Sequence, residues 1–210
     1  MEKSAPMYQL KIELAGIAPP IWRRLLVRGD MNLGLLHAVI QVAMGWTNSH
    51  LHLFTIGDVR YSDPRTDHDM GPGETPYRNE GKTALIEAAP QEKAQFVYEY
   101  DFGDSWEHLV TVEKIHDPDA ASKGFTKCLD GSRACPPDDC GGVDGFAYLL
   151  EVIRNPKHEE YESMMEWLGG KFDPEAFDIK RANTYLRKLK WPHTTDDQLA
   201  AVLMKRDGVA

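Results

Sequence analysis

Long apolar runs are missing from this sequence. No stretch approaches the roughly 18–20 consecutive apolar residues that a membrane-spanning helix needs. The opening MEKSAPMYQL lacks the apolar centre of a secretory signal. Both absences point to a cytoplasmic chain with no membrane partner. Cysteine is scarce, three in 210 residues, and an odd number in a reducing compartment suits thiols or thiolate ligands better than a disulfide framework. Positive charge is in deficit as well. Lys and Arg number 24 against 33 Asp and Glu, a net charge of −9, which opposes broad, salt-driven nucleic-acid binding. GxGxxG, a Walker loop, GxSxG, HExxH and C-x-x-C are all absent, which removes the strong enzyme templates. What remains, 42% hydrophobic and 27% charged, suits one globular domain spanning residues 1–210.

Periodicity supplies the elements. In MYQLKIELA, Tyr8, Leu10, Ile12 and Leu14 alternate with Gln9, Lys11 and Glu13, the pattern of a half-buried strand. GIAPP turns the chain, and IWRRLLVRG is the second strand of a hairpin. Asp30 or Asn32 caps a helix marked by Leu33, Leu36 and Ile40, with His37 on the same apolar face as a hydrogen-bonded core residue. HLHLFTI places His50, His52 and Phe54 on one strand face. A polar stretch over 62–94 is either a lid-like loop or holds a short element near TALIEA, and its Asp63, Asp67, His68 and Asp69 are ordinary solvated charges. AQFVYEYDF and EHLVTVEKI are two further strands joined by a turn at Gly103 and Asp104. Helices follow the cysteines, one capped by Asp144, one marked by Tyr161, Met164/Met165 and Leu168 and stopped by Gly169-Gly170, one opened by Asp173-Pro174 and running to about Lys190, and a last one with the capping box Thr195 and Gln198. The class is α+β: an early ββα unit, a mostly antiparallel sheet and a helical C-terminal third. Residues 180–190 gather Lys180, Arg181, Arg187, Lys188 and Lys190, read as a solvated helix face or a dock for an acidic partner.

Two blocks carry more than composition, YEYDFGDSWEHLVTVE (98–113) and CLDGSRACPPDDCGGVDGF (128–146). With IWRRLLV and WTNSHLHLF they resemble the plasmid pRiA4b ORF-3-like family over about residues 6–190, leaving 191–210 as a C-terminal helical extension. The chain matches at Asp101, Phe102, Gly103, Asp104, Trp106, Glu107 and His108, and again at Cys128, Gly131, Ala134, Cys135, Pro136, Pro137, Asp139, Gly141 and Gly142. Asp138 stands where the family usually has Glu. The resemblance implies a compact α+β domain and an association with plasmids and other mobile elements. The resolvase label of some members is not carried over, because a serine recombinase needs an N-terminal nucleophilic serine supported by arginines and a basic tail, whereas Ser4 lies at a terminus and the chain is acidic.

Chemically, the blocks allow three readings. Cys128, Cys135 and Cys140 are separated by six and then four residues, so only the second pair approaches the C-x2–4-C spacing of a zinc knuckle, with His108, His50 or His52 as a further ligand. Zinc on Cys128, Cys135, Cys140 and His108 is thus the one cofactor the residues suggest, against a turn whose thiols pack as small apolar groups. A nucleophilic Cys135 or Cys140 is the second reading. The third is a pocket using His108 and the carboxylates of Asp101, Asp104 and Glu107, against a buried histidine held by hydrogen bonds. The expected function is a non-catalytic module that binds a protein or peptide through one site, built from Asp101, Gly103, Asp104, Trp106, His108, Pro136, Pro137 and Asp139. A zinc-dependent hydrolase using His108 is the alternative.

Overall fold

The computed structural model describes residues 5–66, 76–118 and 126–208. Asp67, His68, Asp69 and Ser4 lie outside the described residues. The alternating segment forms β1 (Met7–Leu14), which pairs antiparallel with β2 (Trp22–Arg28), Leu10 opposite Leu25 and Ile12 opposite Arg23. Helix α1 (Leu33–Met44) follows, capped by Asn32, whose Oδ1 accepts from the Leu35 amide at 2.8 Å. Next come β3 (His52–Ile56), β4 (Val59–Ser62) and β5 (Arg78–Asn79), a 3-10 turn (Glu80–Lys82) and the short α2 (Leu85–Ala88). The central hairpin is β6 (Gln95–Tyr100) and β7 (Trp106–His116), and β8 (Lys127–Ser132) is the last strand. The chain closes with α3 (Gly142–Arg154), α4 (Tyr161–Trp167), α5 (Ile179–Leu186) and α6 (Asp196–Asp207).

One eight-stranded sheet results, in the order β5-β4-β3-β6-β7-β1-β2-β8, antiparallel throughout except for the β4–β5 pair. The architecture is α+β. One face of the sheet is dry: Tyr8, Leu10, Ile12, Leu25, Val27, Phe54, Tyr98, Val110 and Val112 are fully enclosed there with α1. Each such Leu, Ile or Val contributes about 1.5–3 kcal/mol of burial free energy. The other face is polar, where Arg24 donates twice to Glu113, at 2.7 and 2.9 Å. A two-sided antiparallel sheet of this kind is the reason the strands alternate in sequence. Leu199, Val202 and Leu203 of α6 join the same core.

Several expectations are corrected. His50 precedes β3 instead of sharing its face. Of the two readings of residues 62–94, the short element near TALIEA is borne out as α2, with β5 and the 3-10 turn ahead of it. Cys128 is not in a turn; it sits on β8, which carries no alternation in KCLDGS. Gly141, not Asp144, occupies the N-cap of α3. Asp178, not Asp173, caps α5, its Oδ1 accepting from the Lys180 and Arg181 amides, and α5 ends at Leu186. Thr195 and Gln198 do form the capping box of α6.

The C-terminus of α1 is held by two buried arginines. Arg23 of β2, 1% exposed, donates to the carbonyls of Ala43, Met44, Ser132, Arg133 and Trp22 at 2.8–3.1 Å and stacks on Phe177. Arg206 of α6 donates to the carbonyls of Gln41, Gly45 and Trp46. A helix end leaves carbonyls without partners, and it carries a partial negative charge that a guanidinium complements. The clamp fixes the path of residues 45–51, and that loop delivers His50 to the site.

Candidate functional site

The two sequence blocks meet in space. The turn after β6 is shaped by Asp101, whose backbone takes φ +59° and whose Oδ1 accepts from the Gly103 and Asp104 amides at 3.0 and 3.4 Å. Asp tolerates this left-handed conformation because its short side chain bonds locally. Asp104 reaches across 37 residues to accept from the Gly141 amide at 3.1 Å, capping α3 from another element. A Cβ on Gly142, at φ +68°, would lie 2.6 Å from the Asp104 carbonyl, so only glycine permits this approach. Asp138 ties the same loop to residues 45–51 by accepting from the Thr47 amide at 3.2 Å and its hydroxyl at 2.5 Å. Pro136 is buried beneath the turn, Pro137 half-buried, and Asp139 exposed, again at φ +59°.

Trp106 and His108 are wholly enclosed. The Trp46 indole donates to His108 Nε2 at 3.0 Å, and His108 Nδ1 donates to the Tyr98 carbonyl at 3.1 Å. Burial pushes the ring down to about 4, keeping it neutral. Both ring nitrogens of His108 are thus engaged and shut off from solvent. The thiols are also separate from it. Cys128 Sγ donates to the Asp130 carbonyl, Cys135 packs toward Gly45, and Cys140 stands beside Gly145 and Tyr148. Burial raises all three thiols, Cys140 up to about 12, so the thiolate is suppressed. The structure does not assemble Cys128, Cys135, Cys140 and His108 into one cluster. Among the described residues, the only group of at least three His, Cys, Asp or Glu side chains with ligating atoms within 4.8 Å of one another is His50, Asp101 and Asp139.

Sequence reasoning missed a cavity of about 730 Å³, which opens between α1, β3, the 3-10 turn and the start of α6. His37 and His52 stack within it, ring centres 3.5 Å apart and planes at 7°. The His37 ring donates from Nε2 to Asn48 Oδ1 at 2.8 Å and accepts at Nδ1 from the Tyr98 hydroxyl at 2.8 Å. Burial lowers it to about 3. His52 Nε2 lies 2.8 Å from Glu80 Oε2, and Glu80 is only 6% exposed. Burial pushes its carboxyl up to about 7. Asp63, Arg65 and Asp196 line the mouth, with Arg65 ion-paired to both acids. Nothing local in the polar stretch RNEGK marks Glu80; its burial follows from the contact of the 3-10 turn with α1. His37 on the apolar face of its helix and His52 on the face of the following strand were the readable signs.

The family of plasmid pRiA4b ORF-3-like proteins matches residues 6–181. The uncharacterized protein y4hQ of Sinorhizobium fredii (strain NBRC 101917 / NGR234) is 35% identical over 191 residues, covering 89% of this chain and 95% of that protein. The crystal structure of MM3350, a protein of unknown function from Methanosarcina mazei Go1, superposes with a TM-score of 0.72 at 36% identity, covering 83% of this chain and 96% of that one. No helix among the described residues is long and apolar enough to cross a membrane. By profile, by sequence and by fold, the chain belongs to the plasmid pRiA4b ORF-3-like family.

Proposed function

We propose that the protein is a binding module whose 730 Å³ cavity receives a basic side chain of a protein or peptide partner. The observation that carries this reading is Glu80, a carboxylate buried at the cavity wall that, among the described residues, pairs with a histidine and with no Lys or Arg. Its hydrogen-bonding neighbour is a histidine, and the one arginine lining the cavity is already held by Asp63 and Asp196. Acid therefore exceeds base inside a partly desolvated space, where a guanidinium or ammonium group gains most from an opposite charge. The YDFGDSWEH and CPPDDCGG blocks serve as the frame. Through Asp104, Asp138 and Trp46 they hold the 45–51 loop, whose Asn48, Ser49, His50 and Leu51 form one wall of the cavity.

Calorimetric titration with N-acetyl-arginine amide and its neutral isostere N-acetyl-citrulline amide tests the reading. Saturable binding of the arginine probe, absent for citrulline and lost in Glu80→Gln, supports it. Equal binding of both probes, or of either by Glu80→Gln, overturns it. A zinc hydrolase built on His108 finds no support, since that ring is sealed and doubly bonded.

A further inference from the structure

We infer that His50, Asp101 and Asp139 form a binding site for one divalent transition-metal ion at the junction of the two sequence blocks. The three donors come from three segments: the loop after α1, the turn after β6, and the CPPDDC loop. His50 Nε2 lies 3.1 Å from Asp139 Oδ1 and 3.5 Å from Asp101 Oδ2. The nitrogen is shut off from solvent, yet it makes no hydrogen bond to either oxygen. An enclosed imidazole nitrogen beside two carboxylates, aligned with neither, has the arrangement of ligands around a common centre rather than of a hydrogen-bonded pair.

Each donor is oriented by its own supports. Asp101 is buried, spends Oδ1 on two amides of its turn, and leaves Oδ2 toward His50. The Asp101 amide donates to the Leu51 carbonyl at 2.9 Å, locking the turn to the His50 loop. The His50 ring meets Tyr100 edge-on, and the Tyr100 hydroxyl accepts from the Ser49 amide at 3.0 Å. Such outer contacts fix the direction of metal ligands. Of six non-glycine residues at positive φ among the described residues, Asn48, Asp101, Ser105 and Asp139 lie in the three meeting segments, which turn tightly enough to bring the donors together.

The donor set names the class of ion. One imidazole with two carboxylates suits Zn²⁺, Mn²⁺, Fe²⁺ or Co²⁺, whereas Mg²⁺ and Ca²⁺ prefer oxygen alone. Asp139 is exposed, so the remaining coordination positions open to solvent. His50 belongs both to the cavity wall and to this site, but the metal test uses no cationic organic probe and the arginine test is read at Glu80, so each reading fails independently.

Tag-free, chelator-stripped protein titrated with Co²⁺ and with Zn²⁺ gives the readout. One equivalent should bind, with Co²⁺ d–d bands and no intense sulfur-to-cobalt charge-transfer band. Asp139→Asn, at an exposed position, and His50→Gln should each weaken Zn²⁺ by about tenfold or more, with melting curves like the parent's. A large excess of Mg²⁺ should not displace the ion. No saturable uptake, a sulfur-to-cobalt band, displacement by Mg²⁺, or full affinity in Asp139→Asn would each overturn the inference.

Discussion

Asp104 Oδ2 accepts a hydrogen bond from the Gly141 amide at 3.1 Å, so the turn between β6 and β7 caps a helix that starts 37 residues later. The contact explains why the two sequence blocks occur together. Asp104→Ala removes the cap and should cost about 1 kcal/mol. Gly142→Ala places a Cβ 2.6 Å from the Asp104 carbonyl at a left-handed φ, and Gly145→Ala places one 2.0 Å from the Cys140 carbonyl. Both glycine variants should destabilise by more than the loss of the cap. Urea unfolding ranks the three, and a silent Gly142→Ala contradicts the account.

Among the described residues, Arg23 bonds five carbonyls and no carboxylate. Arg23→Met leaves several of them buried and unpaired, at a cost of about 3 kcal/mol or more. At about 2–4 °C per kcal/mol for a chain of this size, Tm falls by roughly 6–12 °C. A fall below about 2 °C in a thermal melt would show that water replaces the guanidinium at no loss.

Glu80 gives stability a pH dependence of defined sign. Its folded carboxyl, pushed up to about 7 from 4.5, holds its proton longer than in the unfolded chain. Its contribution therefore falls as pH rises from 4.5 through 7. His52, His37, Asp63, Arg65 and Asp196 are the charged and titratable groups around it. His37 and His108, lowered to about 3 and about 4, act oppositely and lose stability as pH drops below 6.5. Comparing wild type with Glu80→Gln cancels the histidines. The variant should gain about 3 kcal/mol on wild type between pH 4.5 and 7.5; a constant difference contradicts the burial argument.

The thiols should be slow nucleophiles. With Cys140 held up to about 12 by burial and by Asp104, iodoacetamide at pH 7.5 should modify the folded protein far more slowly than free cysteine. Cys140→Ala should lower Tm less than Gly142→Ala. Rapid alkylation of one thiol, found by mass spectrometry, would restore the nucleophile reading.

Legibility in the sequence follows the range of the forces. β1, β2, β6, β7 and α1 were readable because one buried face imposes period 2 or 3.6 on Leu10, Ile12, Tyr98, Val110 and Ile40. β8 was not, because an edge strand reading KCLDGS pairs through its backbone with β2 and needs no alternation. The Asp144 cap failed because Asp104, distant in sequence, does that work. Of the candidate sites, the joining of the two blocks was visible in their unusual turn chemistry. Glu80 was obscured because its burial is set by tertiary contacts, and His50, named as a possible ligand beside the cysteines, meets Asp101 and Asp139 instead for the same reason.

The central claim, a buried carboxylate that awaits a cation, is tested most directly at the Glu80 carboxyl carbon. Its ¹³C shift, assigned by comparison with Glu80→Gln, is followed against pH with and without saturating N-acetyl-arginine amide. The account predicts a midpoint near 7 in the free protein and a clear fall when the probe is bound, because the guanidinium favours the anion. A free midpoint near the ordinary 4.5, or a midpoint that the probe leaves unchanged, would contradict it.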